Sequence, residues 1–379
     1  MERLIYLDNS ATTKPCSQAV AAALTAMESC YGNPSSLYEF GMQAEDILTD
    51  ARQSIAKALC SREDEIYFTS CGSESNNTAI FGAAEALRRT AKHIVTTTIE
   101  HPSVLEPIAA LEQKGYEVTR ISPDAKGFIS AEQFEKAIRE DTVLVSAMYV
   151  NNEVGSVLPV EKIKSICQKK GSKALVHIDC VQAFGKLKIN VSALGADLIS
   201  LSAHKIHGIK GAGALFIKKG VRIPAFLMGG GQEKGLRSGT EAVPAIAAFG
   251  AAVKALPDLQ SAFESVLKIK TYCIEKLKEF ENVVINSPEN ASPYILNFSF
   301  LGYRSETVLH HLERYFVCVS SGSACSKGKG SYVLREMGLS QSLVDSAIRL
   351  SFSRDTTLSD IDELIAGLKT ALKLRKSRI

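Results

Sequence analysis

The feature that most limits the fold of this chain is an alternation of helix-period segments with short β-rich runs. Residues 44–59, AEDILTDARQSIAKAL, place their apolar side chains on one helical stripe. Helix-length segments separate several of the β-rich runs, which lie at 93–99, 142–150, 174–179, 197–203 and 213–218. This alternation predicts βαβ units in an α/β fold, with a mainly parallel sheet covered by helices on both faces.

The pattern changes after about residue 253. Beyond that point the sequence predicts a long helix near 259–280, a strand in PYILNFSF, a helix near 305–315, strands in FVCVS and IRLSFS, and a final helix near 358–376. We therefore predict a large domain over 15–252 and a smaller α+β domain formed by 1–14 and 253–379. A chain of 379 residues is long enough for this arrangement.

Composition and charge argue against several classes of protein. The net charge is only +3, and no basic run is interleaved with aromatic residues, so we expect no direct binding to nucleic acid. The start, MERLIYLDNSATT, does not have the pattern of a signal peptide, and the longest apolar stretch, 242–253, is too short to span a bilayer. We expect a cytoplasmic protein. Its nine cysteines form no CxxC pair, which argues against disulfides and against a structural metal site.

Two of the stretches next to predicted strand ends carry polar groups that a plain core would not need. In TSCGSESNN (69–77), a Gly-Ser turn opens a helix and offers N–H groups and a hydroxyl that suit a phosphate, although Ser is also a common N-cap. In HIDCVQAFGK (177–186), Asp179 follows an apolar strand, where a carboxylate is costly unless it is paired. Asp179 either caps the next helix or faces a cation.

Two further stretches add a lysine and a histidine. Lys205 lies in SLSAHKIHGIKGAG (200–213), a glycine-bounded loop after another apolar strand. It is either a surface lysine or an amine in a strand-end cleft that forms a Schiff base. His101 follows the run at 93–99, where a lone histidine is more often structural than catalytic.

Each of these signals is weak alone, but together they describe one kind of site. A pyridoxal 5'-phosphate (PLP) enzyme needs a lysine for a Schiff base, a carboxylate for the pyridinium nitrogen, and hydroxyl and amide groups for the phosphate. The carboxylate keeps the ring nitrogen protonated. One more segment, SSGSACSKGKGS (320–331), places Cys325 among serines, glycines and two lysines, a context too polar to bury a thiol.

With these residues in view, the sequence resembles the cysteine desulfurases of the NifS/IscS type, in the class V aminotransferase group of fold type I PLP enzymes. The resemblance covers almost the whole chain. Its motifs, in chain order, are YLDNSATT, GNPSS, NNEVG, HIDCVQAFGK, SAHKIHGIKG, RSGTE, SSGSAC and IRLSFSRDTT. It implies a fold type I transferase with PLP as cofactor.

The resemblance also implies roles for residues of the cofactor site. Lys205 would form the Schiff base with PLP, Asp179 would pair with the pyridine nitrogen, and Gln182 would bond the ring hydroxyl. His101 would stack on the ring and relay protons. The phosphate would be held by Gly72, Ser73, Ser202, His204 and, from a partner subunit, Thr240.

For the substrate, the resemblance implies that Asn152 and Arg349 orient L-cysteine, with Arg349 clamping its carboxylate bidentately. Lys205 would remove the α-proton, and Cys325 would accept the sulfur as a persulfide while L-alanine leaves. Lys327 and Lys329 would favour the Cys325 thiolate. A homodimer is implied, as is a sulfur-acceptor protein in an iron–sulfur cluster, tRNA-thiolation or thio-cofactor pathway.

Three alternatives stay open at this point. A selenocysteine lyase would share nearly every residue, and a related class V aminotransferase would share Lys205 and Asp179 without needing Cys325. A non-catalytic protein of this fold would be expected to have lost Lys205 or Asp179, and both are present. The chain departs from the family pattern in having Ser73 where a threonine is usual, and in a shorter segment after Cys325.

Overall fold

The computed structural model of this chain describes residues 3–322 and 330–374. Its elements up to residue 217 are β1 (Ile5–Tyr6), α1 (Ser17–Glu28), α2 (Glu39–Leu59), β2 (Ile66–Thr69), α3 (Gly72–Ala86), β3 (His93–Thr97), α4 (Pro102–Gln113), β4 (Glu117–Ile121), α5 (Ala131–Ala137), β5 (Thr142–Met148), α6 (Ile163–Lys169), β6 (Leu175–Asp179), α7 (Val191–Leu194), β7 (Leu198–Ser202) and β8 (Gly213–Ile217). Those that follow are α8 (Val243–Lys254), α9 (Leu259–Leu277), β9 (Val283–Ile285), β10 (Ile295–Phe300), α10 (Ser305–Glu313), β11 (Val317–Cys318), α11 (Tyr332–Glu336), α12 (Gln341–Asp345), β12 (Ala347–Ser351) and α13 (Leu358–Ala371).

A seven-stranded sheet in the order β2-β8-β7-β6-β5-β3-β4 forms the centre of the molecule. The pairs from β7 to β4 are parallel, whereas β8 is antiparallel to both of its neighbours. All strands of this sheet except β8 therefore run in one direction, and their carboxyl ends meet at one edge. In open sheets of this kind, ligands bind beyond that edge.

Helices cover both faces of this sheet, because its buried strands are apolar on both sides. On one face, Val176 and Ile178 of β6 share a core cluster with residues of α1, α2 and α8. On the other face, Leu144 and Leu198 share a second cluster with residues of α3 and α4. Helices α2 and α8 approach closely at Gly250, where an added Cβ would lie 2.7 Å from the Cα of Ala51.

Two smaller sheets complete the fold. Strands β9, β10 and β12 form an antiparallel sheet in the order β12-β10-β9, and the short strands β1 and β11 pair in parallel. The N-terminal segment joins this part of the molecule, because Ser351 N at the end of β12 donates to Leu7 O at 2.7 Å. The division into 15–252 and 1–14 with 253–379 remains a prediction.

The observed architecture confirms the predicted α/β class with a mainly parallel sheet flanked by helices. Each predicted element beyond residue 253 is also present, although the last helix ends at Ala371. In the described part of the chain, no helix combines the length and the apolar character needed to cross a membrane.

Candidate active site

A cavity of about 310 Å³ lies at the carboxyl edge of the large sheet. Most of the predicted site residues line it, namely Gly72, Ser73, His101, Asn152, Asp179, Gln182, Ser202, His204, Lys205 and Arg349. They come from segments that follow β2, β3, β5, β6 and β7, and from β12 of the second sheet. The fold thus brings together residues that are up to 277 positions apart, from Gly72 to Arg349.

Asp179 is the last residue of β6, and its carboxylate is held on both oxygens. Oδ1 accepts from the backbone N–H of Val181 at 2.9 Å, and Oδ2 accepts from Asn76 Nδ2 at 2.8 Å. Asp179 as a whole is only 5% exposed to solvent. The sequence left open whether Asp179 caps the next helix or faces a cation. Oδ1 accepts from Val181 in a turn and not at a helix start, since the next helix, α7, begins at Val191.

His101 is fixed by a short chain of hydrogen bonds that leads back to Asp179. Its Nδ1 accepts from the backbone N–H of Ser103 at 3.1 Å and lies 2.8 Å from Ser103 Oγ. Asn76 Nδ2 donates to the same Ser103 Oγ at 2.8 Å. Because a backbone N–H can only donate, Nδ1 carries no proton and the ring proton lies on Nε2. Burial, with a smaller contribution from the Lys205 charge, lowers the pKa of His101, so the ring is neutral at pH 7.

Lys205 follows β7 by three residues and extends into the cavity from the sheet side. Its Nζ donates to the main-chain carbonyl of Ala11 at 2.8 Å and also to that of Ser10. Both carbonyls belong to the YLDNSATT segment, of which Ser10 and Ala11 also line the cavity. The amine is held by neutral carbonyl groups and lies in the same cavity as Asp179.

One end of the cavity is suited to an anion. Helix α3 begins at Gly72, and its first N–H groups have no partner within the helix. A Cβ added at Gly72 would lie 2.8 Å from Val181 Cγ2, so the glycine keeps the helix start open. The buried Oγ of Ser202 has no hydrogen-bond partner among the described residues.

His204 lies beside this end, and its Nδ1 is 3.1 Å from Thr12 Oγ1. Burial, together with the charges of Lys205, Lys210 and Lys186, lowers the pKa of His204 to about 4. The imidazole is therefore uncharged at pH 7, and it offers hydrogen bonding rather than charge to a ligand.

Arg349 brings a positive charge to the other side of the cavity from β12. Nη2 pairs with Asp8 Oδ1 at 2.7 Å, and Nη1 donates to the main-chain carbonyl of Asn152 at 3.1 Å. The arginine is 3% exposed, and within the described part of the chain its Nε has no partner. The guanidinium is therefore oriented by Asp8 and Asn152.

Sequence reasoning missed several residues that complete the site. Asn76 and Ser103 hold Asp179 and His101, and Asp8 orients Arg349. Cys71 also lines the cavity, which makes it a second thiol to consider beside Cys325. A signal for Asn76 was available, because it lies three residues after Ser73 and thus about one helical turn along the same face.

One predicted residue lies elsewhere. Thr240 is exposed and lines a separate cavity of about 70 Å³ together with Ser70 and Arg237. Its predicted role, in which it reaches the phosphate of a partner subunit, stays a prediction. Cys325 belongs to the segment 323–329, which is outside the described residues.

Comparison with known proteins identifies the family. The model of aminotransferase class V matches residues 5–364. The chain belongs to the class V aminotransferase family. Within the family it is similar to the cysteine desulfurase IscS of Dictyoglomus turgidum, with 39% identity over 99% of this chain and 96% of that protein.

Two solved structures support the same placement of this class V aminotransferase. A NifS-like protein superposes with a TM-score of 0.92, at 36% identity over 98% of this chain and 99% of that chain. A structure of SspA in complex with cysteine superposes with a TM-score of 0.82, at 33% identity over 93% and 99% of the two chains. The predicted resemblance and the fold type I assignment are confirmed.

Class V aminotransferases of the cysteine desulfurase type use PLP, as the sequence predicted, and the residues of this cavity fit that group. A pyridine nitrogen needs a buried carboxylate, which Asp179 supplies. A phosphate needs unpaired donors, and the start of α3 and the unpartnered Ser202 Oγ supply them. A covalent link needs an amine in the same cavity, which Lys205 supplies.

We expect Asn76→Ala to weaken cofactor binding, because Asp179 Oδ2 and Ser103 Oγ each lose a donor at 2.8 Å. Loss of a hydrogen bond to a charged group costs about 1.5–3 kcal/mol, which is roughly a 10- to 100-fold rise in the dissociation constant of PLP. Absorbance titration of the apoenzyme with PLP measures that constant. Asn77→Ala is the matched control, because among the described residues Asn77 donates to the carbonyls of Ser73 and Ser103 and not to the side chains of Asp179 or Ser103. Equal weakening in the two variants would contradict the role of Asn76.

Proposed function

We propose that this protein is a PLP-dependent cysteine desulfurase, which converts L-cysteine to L-alanine and transfers the sulfur to Cys325 as a persulfide. One observation carries the proposal: Lys205, Asp179 and Arg349 line the same cavity of about 310 Å³. These are the amine, the buried carboxylate and the carboxylate-binding cation that the reaction needs. Relatives named cysteine desulfurase, and the SspA structure with cysteine, support L-cysteine as the substrate.

PLP, when bound, supplies a carbonyl for the substrate amine and an electron sink for the charge that develops at Cα. Asp179 would face the ring nitrogen and keep it protonated through its negative charge. Asn76 and Val181 hold the two carboxylate oxygens, so Asp179 is oriented before the cofactor arrives. The chain thus fixes the charge that makes the ring an effective electron acceptor.

Arg349 would bind the carboxylate of L-cysteine, which places the substrate between it and Lys205. Asp8 and the Asn152 carbonyl hold the guanidinium, so less side-chain freedom is lost on binding. Once its amine is unprotonated, Lys205 would remove the proton from the substrate Cα as a general base. His101 is neutral with its proton on Nε2, so it would donate a hydrogen bond from Nε2 to a group bound in the cavity.

The sulfur step balances without another reactant. A Cys325 thiolate attacks the sulfur of L-cysteine, a new S–S bond forms as the substrate C–S bond breaks, and the substrate Cβ gains a proton. The products are L-alanine and a persulfide on Cys325. Cys325 lies outside the described residues, and its role rests on the SSGSAC motif.

The proposal also includes a sulfur-acceptor protein, a second subunit and a cellular location. A sulfur-acceptor protein, in an iron–sulfur cluster, tRNA-thiolation or thio-cofactor pathway, would take sulfur from Cys325. A homodimer would bring Thr240 of RSGTE to the phosphate of the other subunit, which accords with its exposure and its distance from the cavity of its own chain. We also propose a cytoplasmic location, in keeping with the family.

Product analysis tests the function. The PLP-loaded enzyme is mixed with L-cysteine without reductant, and alanine, pyruvate and sulfur bound to protein are measured. We expect one alanine for each sulfur that is bound. Pyruvate, or amino exchange with a keto acid, would instead indicate a different class V activity. Strong preference for L-selenocysteine in competition with L-cysteine would indicate a selenocysteine lyase.

A further inference from the structure

Lys186 is a buried lysine beside the active site that the reaction above does not use. It ends the HIDCVQAFGK stretch, is 7% exposed, and takes part in none of the ion pairs within residues 3–322 and 330–374. Its Nζ donates to Gln182 Oε1 at 3.0 Å and lies 5.7 Å from the centre of the Tyr294 ring. Burying an ammonium group without a carboxylate partner costs free energy, so we looked for a function of Lys186 that would explain its position.

The charged groups around Lys186 are also positive. Burial, followed by the charges of Lys205 and Arg349, lowers the pKa of Lys186 to about 7. His207, Arg354 and Lys186 line a second, small cavity, and none of the described residues that line it is acidic. The exposed Asp355 lies outside this lining, with Oδ2 at 3.9 Å from His207 Nδ1. A substantial fraction of Lys186 is therefore still charged near neutral pH, close to the active-site cavity.

Gln182 is the group through which Lys186 contacts that cavity. Gln182 is 6% exposed, and its Nε2 donates to the main-chain carbonyl of Ser10 at 3.0 Å. An ammonium group can only donate and a main-chain carbonyl can only accept, so both contacts require the same orientation of the amide. Oε1 is directed to Lys186, and one N–H of Nε2 is used by Ser10. The second N–H is left for a group in the cavity that Gln182 lines.

Without Lys186 this orientation would lose one of its two hydrogen bonds and keep only the one to Ser10. Oε1 would become a buried acceptor with no donor, which costs about 1–3 kcal/mol. Rotation of the amide would remove that unpaired acceptor but would break the hydrogen bond from Nε2 to Ser10 O. The amide would then be held in neither orientation by two hydrogen bonds, and it would present an acceptor to a bound molecule for part of the time.

We propose that Lys186 is a positioning residue, which commits Gln182 to present an N–H donor to the phenolic oxygen of PLP. This inference rests on the proposed function, since the phenolic oxygen is the group that Gln182 would meet in a PLP enzyme. A fixed donor, with a positive charge behind it, stabilises an anionic oxygen. The pKa of the bound PLP group, measured by its visible absorption, is therefore lower than it would be without Lys186.

The test is a pH titration of the visible absorption of the PLP-loaded enzyme. The Lys186→Met variant keeps a similar side-chain shape without the donor or the charge. In this variant we expect the midpoint pH of the absorbance titration to rise by roughly one pH unit. Lys270→Met is the matched control. Lys270 is also buried, with Nζ donating to Ser292 O at 3.0 Å, but it does not line the active-site cavity. Its midpoint should equal that of the unmodified enzyme.

Further variants make the result decisive. Lys186→Gln retains an N–H donor without the charge, and its midpoint should lie between those of the unmodified enzyme and Lys186→Met. It also tests the proposal if Lys186→Met does not fold. Because Lys186 acts through Gln182, the shifts of Lys186→Met and Gln182→Leu should not add in the double variant.

Several outcomes would overturn the inference: an unchanged midpoint in both Lys186 variants, an equal shift in Lys270→Met, or additive shifts in the double variant. Failure of the proposed function itself would look different. In that case the unmodified enzyme would bind no PLP, or would bind it without forming alanine from L-cysteine.

Discussion

Replacing Lys205 with alanine is expected to lower the rate of alanine formation from L-cysteine by about 10³-fold or more. Lys205 supplies the amine in the cavity that also contains Asp179 and Arg349. Its loss removes both the covalent hold on the cofactor and the base that would take the proton from the substrate Cα. Borohydride reduction followed by digestion gives a second measurement. It should fix the cofactor to the peptide 200–213 of the unmodified enzyme and to no peptide of the variant.

Lys210→Ala is the control for this experiment. Lys210 is an exposed lysine in the same glycine-bounded loop, five residues further on. Its loss should change the rate of alanine formation by less than about twofold, because exposed charges contribute little. The assignment of Lys205 would be wrong if its alanine variant still formed alanine at a rate close to that of the unmodified enzyme. It would also be wrong if borohydride fixed the cofactor to another lysine.

Much of the fold could be predicted because the sequence patterns that determine it lie within short segments of the chain. Strand length, helix period and their alternation are visible in a window of a dozen residues, and they determine the layers of an α/β domain. The carboxyl edge then follows from the parallel direction of the strands. This is why Asp179 after β6 and Lys205 after β7 could be expected in one cavity before their contacts were known.

The contacts that orient these residues could not be predicted, because they join segments that are distant in sequence. Asp8 pairs with Arg349 across 341 positions, and Asn76 meets Asp179 across 103 positions. Nothing in the local sequence of Asp8 distinguishes a structural carboxylate from an exposed one. The resemblance to a family predicted the reacting groups, whereas the structure was needed to find the contacts that orient the predicted residues.

Lys186 shows a different limit of sequence reasoning. It lies four residues from Gln182 in a stretch that had already been singled out, yet a lysine near a turn is usually solvated. Only its burial and the direction of its hydrogen bond to Gln182 Oε1 distinguish it from a surface lysine. Spacing along the chain does not reveal burial in the turn that follows a buried strand.

Cys71 lines the cavity, so there are two candidate sulfur acceptors, Cys71 and Cys325, which an experiment can distinguish. Cys325 lies outside the described residues and was chosen from the SSGSAC motif. Cys325→Ala is expected to retain PLP and to bind L-cysteine, yet to form alanine about 10³-fold more slowly or worse, since the nucleophile is gone. Cys71→Ala is the matched control, and it should retain most of the activity. Alanine assays on both variants, with PLP absorbance as the measure of cofactor loading, separate loss of the nucleophile from loss of the site.

Mass spectrometry after a single turnover locates the sulfur itself. With Cys325 as acceptor, one additional sulfur should appear on the peptide 320–331 and none on the peptide 69–77. The reason is chemical: the acceptor must reach the substrate sulfur as a thiolate, and Lys327 and Lys329 lie two and four residues from Cys325, where their charges favour that form. Cys71 has a serine on one side and a glycine on the other, and no lysine or arginine within four residues of it in the chain. Sulfur on the peptide 69–77, or alanine formed at a normal rate by Cys325→Ala, would move the acceptor role to the wall of the cavity.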